Sequence, residues 1–122
     1  MEALQVTQTI MDEYCARILL GTFDRAASAI DLGRRFGIPI AACYRRIKEL
    51  EGLGLVYCER VEPTRNGRGI GLYRSRLKSV QIAFEDGKLR TRVILGSMDI
   101  AASPETTVTE QVMNLRAPLP TA

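Results

Sequence analysis

The chain has 122 residues, enough for one domain plus an appendage, with 46% hydrophobic and 25% charged residues as in ordinary globular proteins. It contains no histidine, which excludes Ser-His and Cys-His catalytic pairs and any His-ligated metal site, and its three cysteines, Cys15, Cys43 and Cys58, show no paired spacing. The net charge of +3 is unevenly spread: Arg34 to Lys78 holds eleven Lys and Arg against four Asp and Glu, whereas Gly96 to Ala122 holds one Arg against three acids. A concentrated basic segment in a nearly balanced chain points to a polyanionic partner met by one face. No apolar run reaches the ~18 residues of a membrane span, and the N-terminus lacks a signal-peptide pattern, so a cytoplasmic protein with reduced thiols is expected.

Residues 1–9 carry few structural signals, and partial order is expected there. Ile10, Tyr14 and Ile18, with Met11, Cys15 and Leu19, recur at i, i+4 and predict a first helix over 10–22, closed by Gly21-Thr22. Ser28 followed by Asp31 resembles a capping box and opens a second helix, with Ala29, Leu32 and Phe36 inward and Gly37 as its left-handed stop. Pro39 stands where a third helix begins, a position that costs no hydrogen bond. That helix runs from about Ile40 to Glu51 with Ile40, Cys43, Ile47 and Leu50 towards the core, which leaves Ala41, Tyr44, Arg45 and Lys48 on an exposed strip.

Strands are expected over 55–61 and 69–76. They form a β-ribbon whose tip, Glu62 to Arg68, is basic and contains the turn pair Asn66-Gly67. A second hairpin follows: 79–84 and 88–95 each alternate apolar and polar residues around an Asp86-Gly87 turn. Its apolar face must pack on the helical body or on another subunit, because an isolated hairpin is barely stable. From Gly96 onward periodicity fades into an expected flexible tail, with at most a short helix around 104–115.

The segments SAIDLGRRFGIP, YRRIKELEGLGLV and VYCERVEPTRNGRGIGLYR together resemble the winged helix-turn-helix DNA-binding family. Within it they are most similar to the arsenical-repressor-like (ArsR-like) branch of small archaeal-type transcriptional regulators. The resemblance covers about residues 10–77. It implies an α+β fold: a three-helix winged helix-turn-helix over 1–78 with a β-wing, an additional C-terminal β-hairpin over 79–95, and a flexible tail over 96–122. It further implies a homodimeric regulator whose third helix enters the major groove of double-stranded DNA while the wing grips backbone or minor groove. Carried onto this chain, the contacting residues are Ala41, Ala42, Tyr44, Arg45, Arg46 and Lys48 on the helix and Arg65, Asn66 and Arg68 at the wing tip.

One departure matters. The first turn of the reading helix is Ile40-Ala41-Ala42, which can touch a thymine methyl but cannot hydrogen-bond a base edge. Base readout then rests on Tyr44, Arg45 and Lys48, with Arg45 the candidate for guanine, while Arg46 and Lys48 suit phosphate. The bland alternative is that these charges solvate an exposed face. An apolar first turn also fits a module that docks on protein in a transcription or signalling assembly. The branch's metal sensing does not carry over, because there is no Cys-x-Cys and no histidine. Cys15 and Cys43 fall on core faces, and the face of Cys58 is open. No enzyme activity, cofactor or metal is expected: Gly67 to Gly71 is glycine-rich but no helix follows it to make a phosphate cradle.

Overall fold

The computed structural model describes residues 2–96, 106–116, 118 and 119. Among these, four helices come first: α1 (Ala3–Ile10), α2 (Glu13–Gly21), α3 (Ala29–Phe36) and α4 (Ile40–Gly52). Five strands follow: β1 (Val56–Pro63), β2 (Gly69–Ser75), β3 (Leu77–Glu85), β4 (Lys88–Leu95) and β5 (Thr107–Met113). The strands form two antiparallel sheets, β1-β2 and β3-β4-β5. The fold is α+β, but the expected three-helix winged helix-turn-helix with an added hairpin is corrected: helices precede strands in an order that is not that of a winged helix. A fourth helix and a fifth strand are also present.

Both additions come from segments with weak local signals. The segment 1–9, where partial order is expected, instead supplies most of α1, whose Ala3 and Val6 are fully buried. Helix α1 lies on the three-stranded sheet, where the Leu4 amide donates to Gln111 Oε1 on β5 at 3.2 Å. The helix expected over 10–22 is therefore two helices. The break falls at Met11-Asp12, where Asp12 leaves helical geometry and accepts the Cys15 amide at 3.0 Å as the cap of α2. The segment 107–113, placed by sequence in the tail, is strand β5 on the edge of β4. Its β-branched Thr107, Val108, Thr109 and Val112 favour a pleated surface. Residues 97–105, 117 and 120–122 of the expected tail, and Met1, lie outside the described residues.

The local signals elsewhere hold. Ser28 Oγ accepts the Asp31 amide at 3.1 Å to cap α3, and Gly37 ends it at φ 68°. Asp86 (φ 52°) and Gly87 (φ 71°) make the left-handed pair that a two-residue hairpin turn requires. In α4, Cys43, Ile47 and Leu50 are buried, but Ile40 is 47% exposed. It sits in the first helical position, after Pro39, and overhangs the body instead of joining the core.

One apolar core unites the elements: Val6 from α1, Cys15 and Ile18 from α2, Leu32 from α3, Ile47 and Leu50 from α4, Val56 from β1, and Val93 and Leu95 from β4. The ribbon is fastened to the helices through Ala27, which exchanges two backbone hydrogen bonds with Tyr73 at 3.0 and 2.9 Å. Arg76 ties the two sheets together, donating from Nε to the Gly96 carbonyl and from Nη1 to the Gly54 carbonyl. No helix among the described residues is long and apolar enough to cross a membrane.

Candidate nucleic-acid interface

Helix α4 divides its residues by the 3.6-residue period. Cys43, Ile47 and Leu50 face the core, while Ala41, Tyr44, Arg45 and Lys48 are exposed on the far side. Ala42 is half-buried against the core. Tyr44 is half-exposed on the same side of the helix. Arg45 and Lys48 make no ion pair among the described residues, so both charges are presented to solvent.

Arg46 is different. Its guanidinium forks onto Asp12, with Nε at 2.9 Å from Oδ2 and Nη2 at 3.3 Å from Oδ1, and it also lies 3.6 Å from Glu49. The same Asp12 carboxylate caps α2, so one side chain joins the start of α2 to the middle of α4. The sequence reading placed Arg46 among the phosphate contacts, whereas its fork is used inside the fold. The hydrogen bond from Arg46 is the main reason the Asp12 carboxyl is held below its ordinary value. A carboxyl with a lowered folded-state pKa contributes stability that is complete above the unfolded value, near 3.8, and is lost as pH falls through the lower folded value. Arg46→Gln is therefore expected to lower the urea midpoint by a constant amount from neutral pH down to about 5, the gap to the unaltered protein closing below about 4. A gap that persists unchanged into acid would show that Asp12 is not its source.

The ribbon sorts its charges along its length. Along the paired strands, Arg74 lies 3.7 Å from Glu59, and Arg60 lies 3.6 Å from Glu62. There Asp24, Asp31, Glu59 and Glu62 line an open groove of about 440 Å³ together with three arginines, a surface with no net preference for an anion. At the tip the picture reverses. The Thr64 amide donates to the Arg68 carbonyl at 3.1 Å and the Gly67 amide to the Thr64 carbonyl at 3.0 Å, closing a tight loop with Gly67 at φ 74°. Arg65, Asn66 and Arg68 are exposed on this loop, and neither arginine makes an ion pair among the described residues.

Two features escaped the sequence reading. Arg34, in the last turn of α3, is exposed beside the start of α4, and with Ile30, Gly33, Ile38 and Ile40 it lines a shallow apolar depression of about 270 Å³. Its position in the helix, one residue before the ion-paired Arg35, was the available signal. The second is Asp12, since nothing local in the sequence announces a partner 34 residues away.

The cysteines divide as their positions suggest. Cys15 and Cys43 are fully buried, and burial pushes the Cys15 thiol up to about 12 and raises that of Cys43. Cys58 is exposed on β1, where its thiol lies 3.4 Å from the Arg60 carbonyl. No group of three His, Cys, Asp or Glu side chains among the described residues is arranged to hold a metal ion. Compared with known proteins, the chain matches no family model, no curated protein and no solved structure.

Proposed function

We propose that this chain is a cytoplasmic transcriptional regulator that binds double-stranded DNA as a homodimer, with α4 in the major groove and the ribbon tip on the neighbouring backbone or minor groove. The observation that carries the reading is that α4 and the ribbon tip each expose two cations that no carboxylate among the described residues neutralises. Arg45 and Lys48 on α4 and Arg65 and Arg68 on the tip are exposed and make no ion pair among the described residues, as also holds for Arg25, Arg34, Lys78, Lys88, Arg92 and Arg116, whereas Arg17, Arg35, Arg46, Arg60, Arg74 and Arg90 are each paired with a carboxylate. An exposed helix with unpaired Arg and Lys has the width and charge for the major groove, and a narrow basic loop suits phosphate contact. The role is binding, with no catalytic step.

A second reading has its own support. Ile30 and Ile40 are 38% and 47% exposed beside Arg34, a small apolar patch at the head of α4 that favours docking on a protein surface. Fluorescence-polarisation titrations of duplex and single-stranded DNA at several salt concentrations separate the two. Duplex binding that falls steeply with salt is expected. The double variant Arg65→Ala/Arg68→Ala should weaken all duplexes alike and reduce the slope of log K against log salt by about 3.6 in the homodimer, roughly 0.9 for each of the four phosphates no longer neutralised. Absence of duplex binding at low salt would overturn the DNA reading in favour of protein docking.

A further inference from the structure

The three-stranded sheet ends on β3, whose outer edge pairs with no other strand among the described residues. On the face covered by α1, β3 presents Val80, Ile82 and Phe84 opposite Val93, Thr91 and Leu89 of β4. The cover is incomplete. Val93 and Thr91 are fully buried, but Ile82 is 47% and Phe84 84% exposed. An apolar surface continuous with the core and bordered by an unpaired strand edge is a site of association.

We infer that the occupant of this edge is a second copy of the chain, with β3 pairing antiparallel to the partner's β3 about a two-fold axis at Ile82, to make one six-stranded sheet. The register follows from the strand itself. After the irregularity at Lys78, the regular ladder runs from Ser79 to Glu85 and has Ile82 at its centre. A two-fold axis perpendicular to the sheet keeps each side chain on its own face, so Ile82 meets the partner's Ile82, and Val80 meets the partner's Phe84 on the same apolar face. On the opposite face Gln81 meets the partner's Ala83, and Ser79 the partner's Glu85. Lys78 then comes beside the partner's acidic Glu85-Asp86 turn at both ends, and no like charges face each other. Moving the centre by one residue sets Phe84 against the partner's Lys78, or Val80 against the partner's Asp86. The other free edge, β5, is a poorer candidate: pairing about its central residue would set Glu110 against its own copy. This surface supplies the homodimer of the proposed function, but the inference rests on the sheet alone and does not require DNA.

Sedimentation equilibrium of the full chain is expected to give twice the 13.5 kDa chain mass at micromolar concentration. Ile82→Lys should retain the far-ultraviolet circular dichroism of the parent while raising the dimer dissociation constant by about tenfold or more, because two like charges would meet on the axis. Cross-linking tests the register directly in a Cys58→Ser background, where the remaining Cys15 and Cys43 are buried. Residues opposite each other across antiparallel strands have Cα atoms about 4.5–5.5 Å apart, within disulfide range. Ile82→Cys should therefore oxidise to a covalent dimer, and Gln81→Cys, facing the partner's Ala83, should not. A monomer throughout the micromolar range would overturn the inference, as would a dimer in which Ile82→Cys fails to cross-link or Gln81→Cys cross-links equally. A cross-linked dimer with no affinity for any duplex would sustain this inference while removing the DNA reading.

Discussion

Arg45→Ala is expected to erase most of the distinction between a preferred duplex and random DNA, a loss of about 1–3 kcal/mol, or roughly 5- to 150-fold in relative affinity, for each half-site. The effect is concentrated on one residue because its neighbours cannot replace it. Ala41 and Ala42 offer only methyl groups, and Lys48 is a compact charge better matched to phosphate than to the paired acceptors of guanine. Arg45 alone on the exposed strip of α4 has a planar fork free of ion pairs among the described residues. Arg46→Gln is the natural control: it also removes a positive charge from α4, but one that is already held by Asp12. Competition titrations on sequences selected from a random pool would measure both variants. An equal loss on every sequence for Arg45→Ala would sink the readout assignment and leave Arg45 as a phosphate contact.

Val6→Asp should destabilise the fold by about 3–5 kcal/mol, the cost of an uncompensated buried charge, and lower the melting temperature by on the order of 15 °C. Val6 lies in the first ten residues, where an exposed segment would tolerate the change at no measurable cost. In the structure it is fully buried, in the same core cluster as Val93 and Leu95 of β4. Thermal unfolding followed by circular dichroism would read the effect, with Gln8→Asp on the exposed face of α1 as the near-neutral comparison. A Val6→Asp protein that melts with the parent would mean that α1 does not dock on the sheet.

Much of the candidate site was legible because the rules that build it are short-ranged. The run from Ser28 to Gly37 contains its own cap and its own stop. The spacing of Cys43, Ile47 and Leu50 turns Tyr44, Arg45 and Lys48 outward whatever else the chain does, and Asn66-Gly67 places Arg65 and Arg68 on a loop tip. Ile40 was misjudged because helical periodicity gives a direction and not a depth. It points towards the core side, but the first turn of α4 extends beyond the body. The pairing of Arg46 with Asp12 was not legible, because a cation bound for phosphate and one bound for a carboxylate look alike until its neighbours are known.

The α3–turn–α4 unit, both hairpins and the basic strip are encoded locally, since caps, left-handed glycines and apolar periods act within a few residues. Long-range packing makes residues 3–10 a helix and 107–113 a strand, and sets the order of four helices followed by two sheets among the described residues. Those segments are stabilised by each other: the Leu4 amide meets Gln111, 107 positions away, and neither α1 nor β5 has a local pattern strong enough to hold its shape without that contact. The same long-range packing covers Val93 and leaves Phe84 bare, which is why the uncovered edge of β3 emerges from the assembled sheet and not from the alternation of its residues.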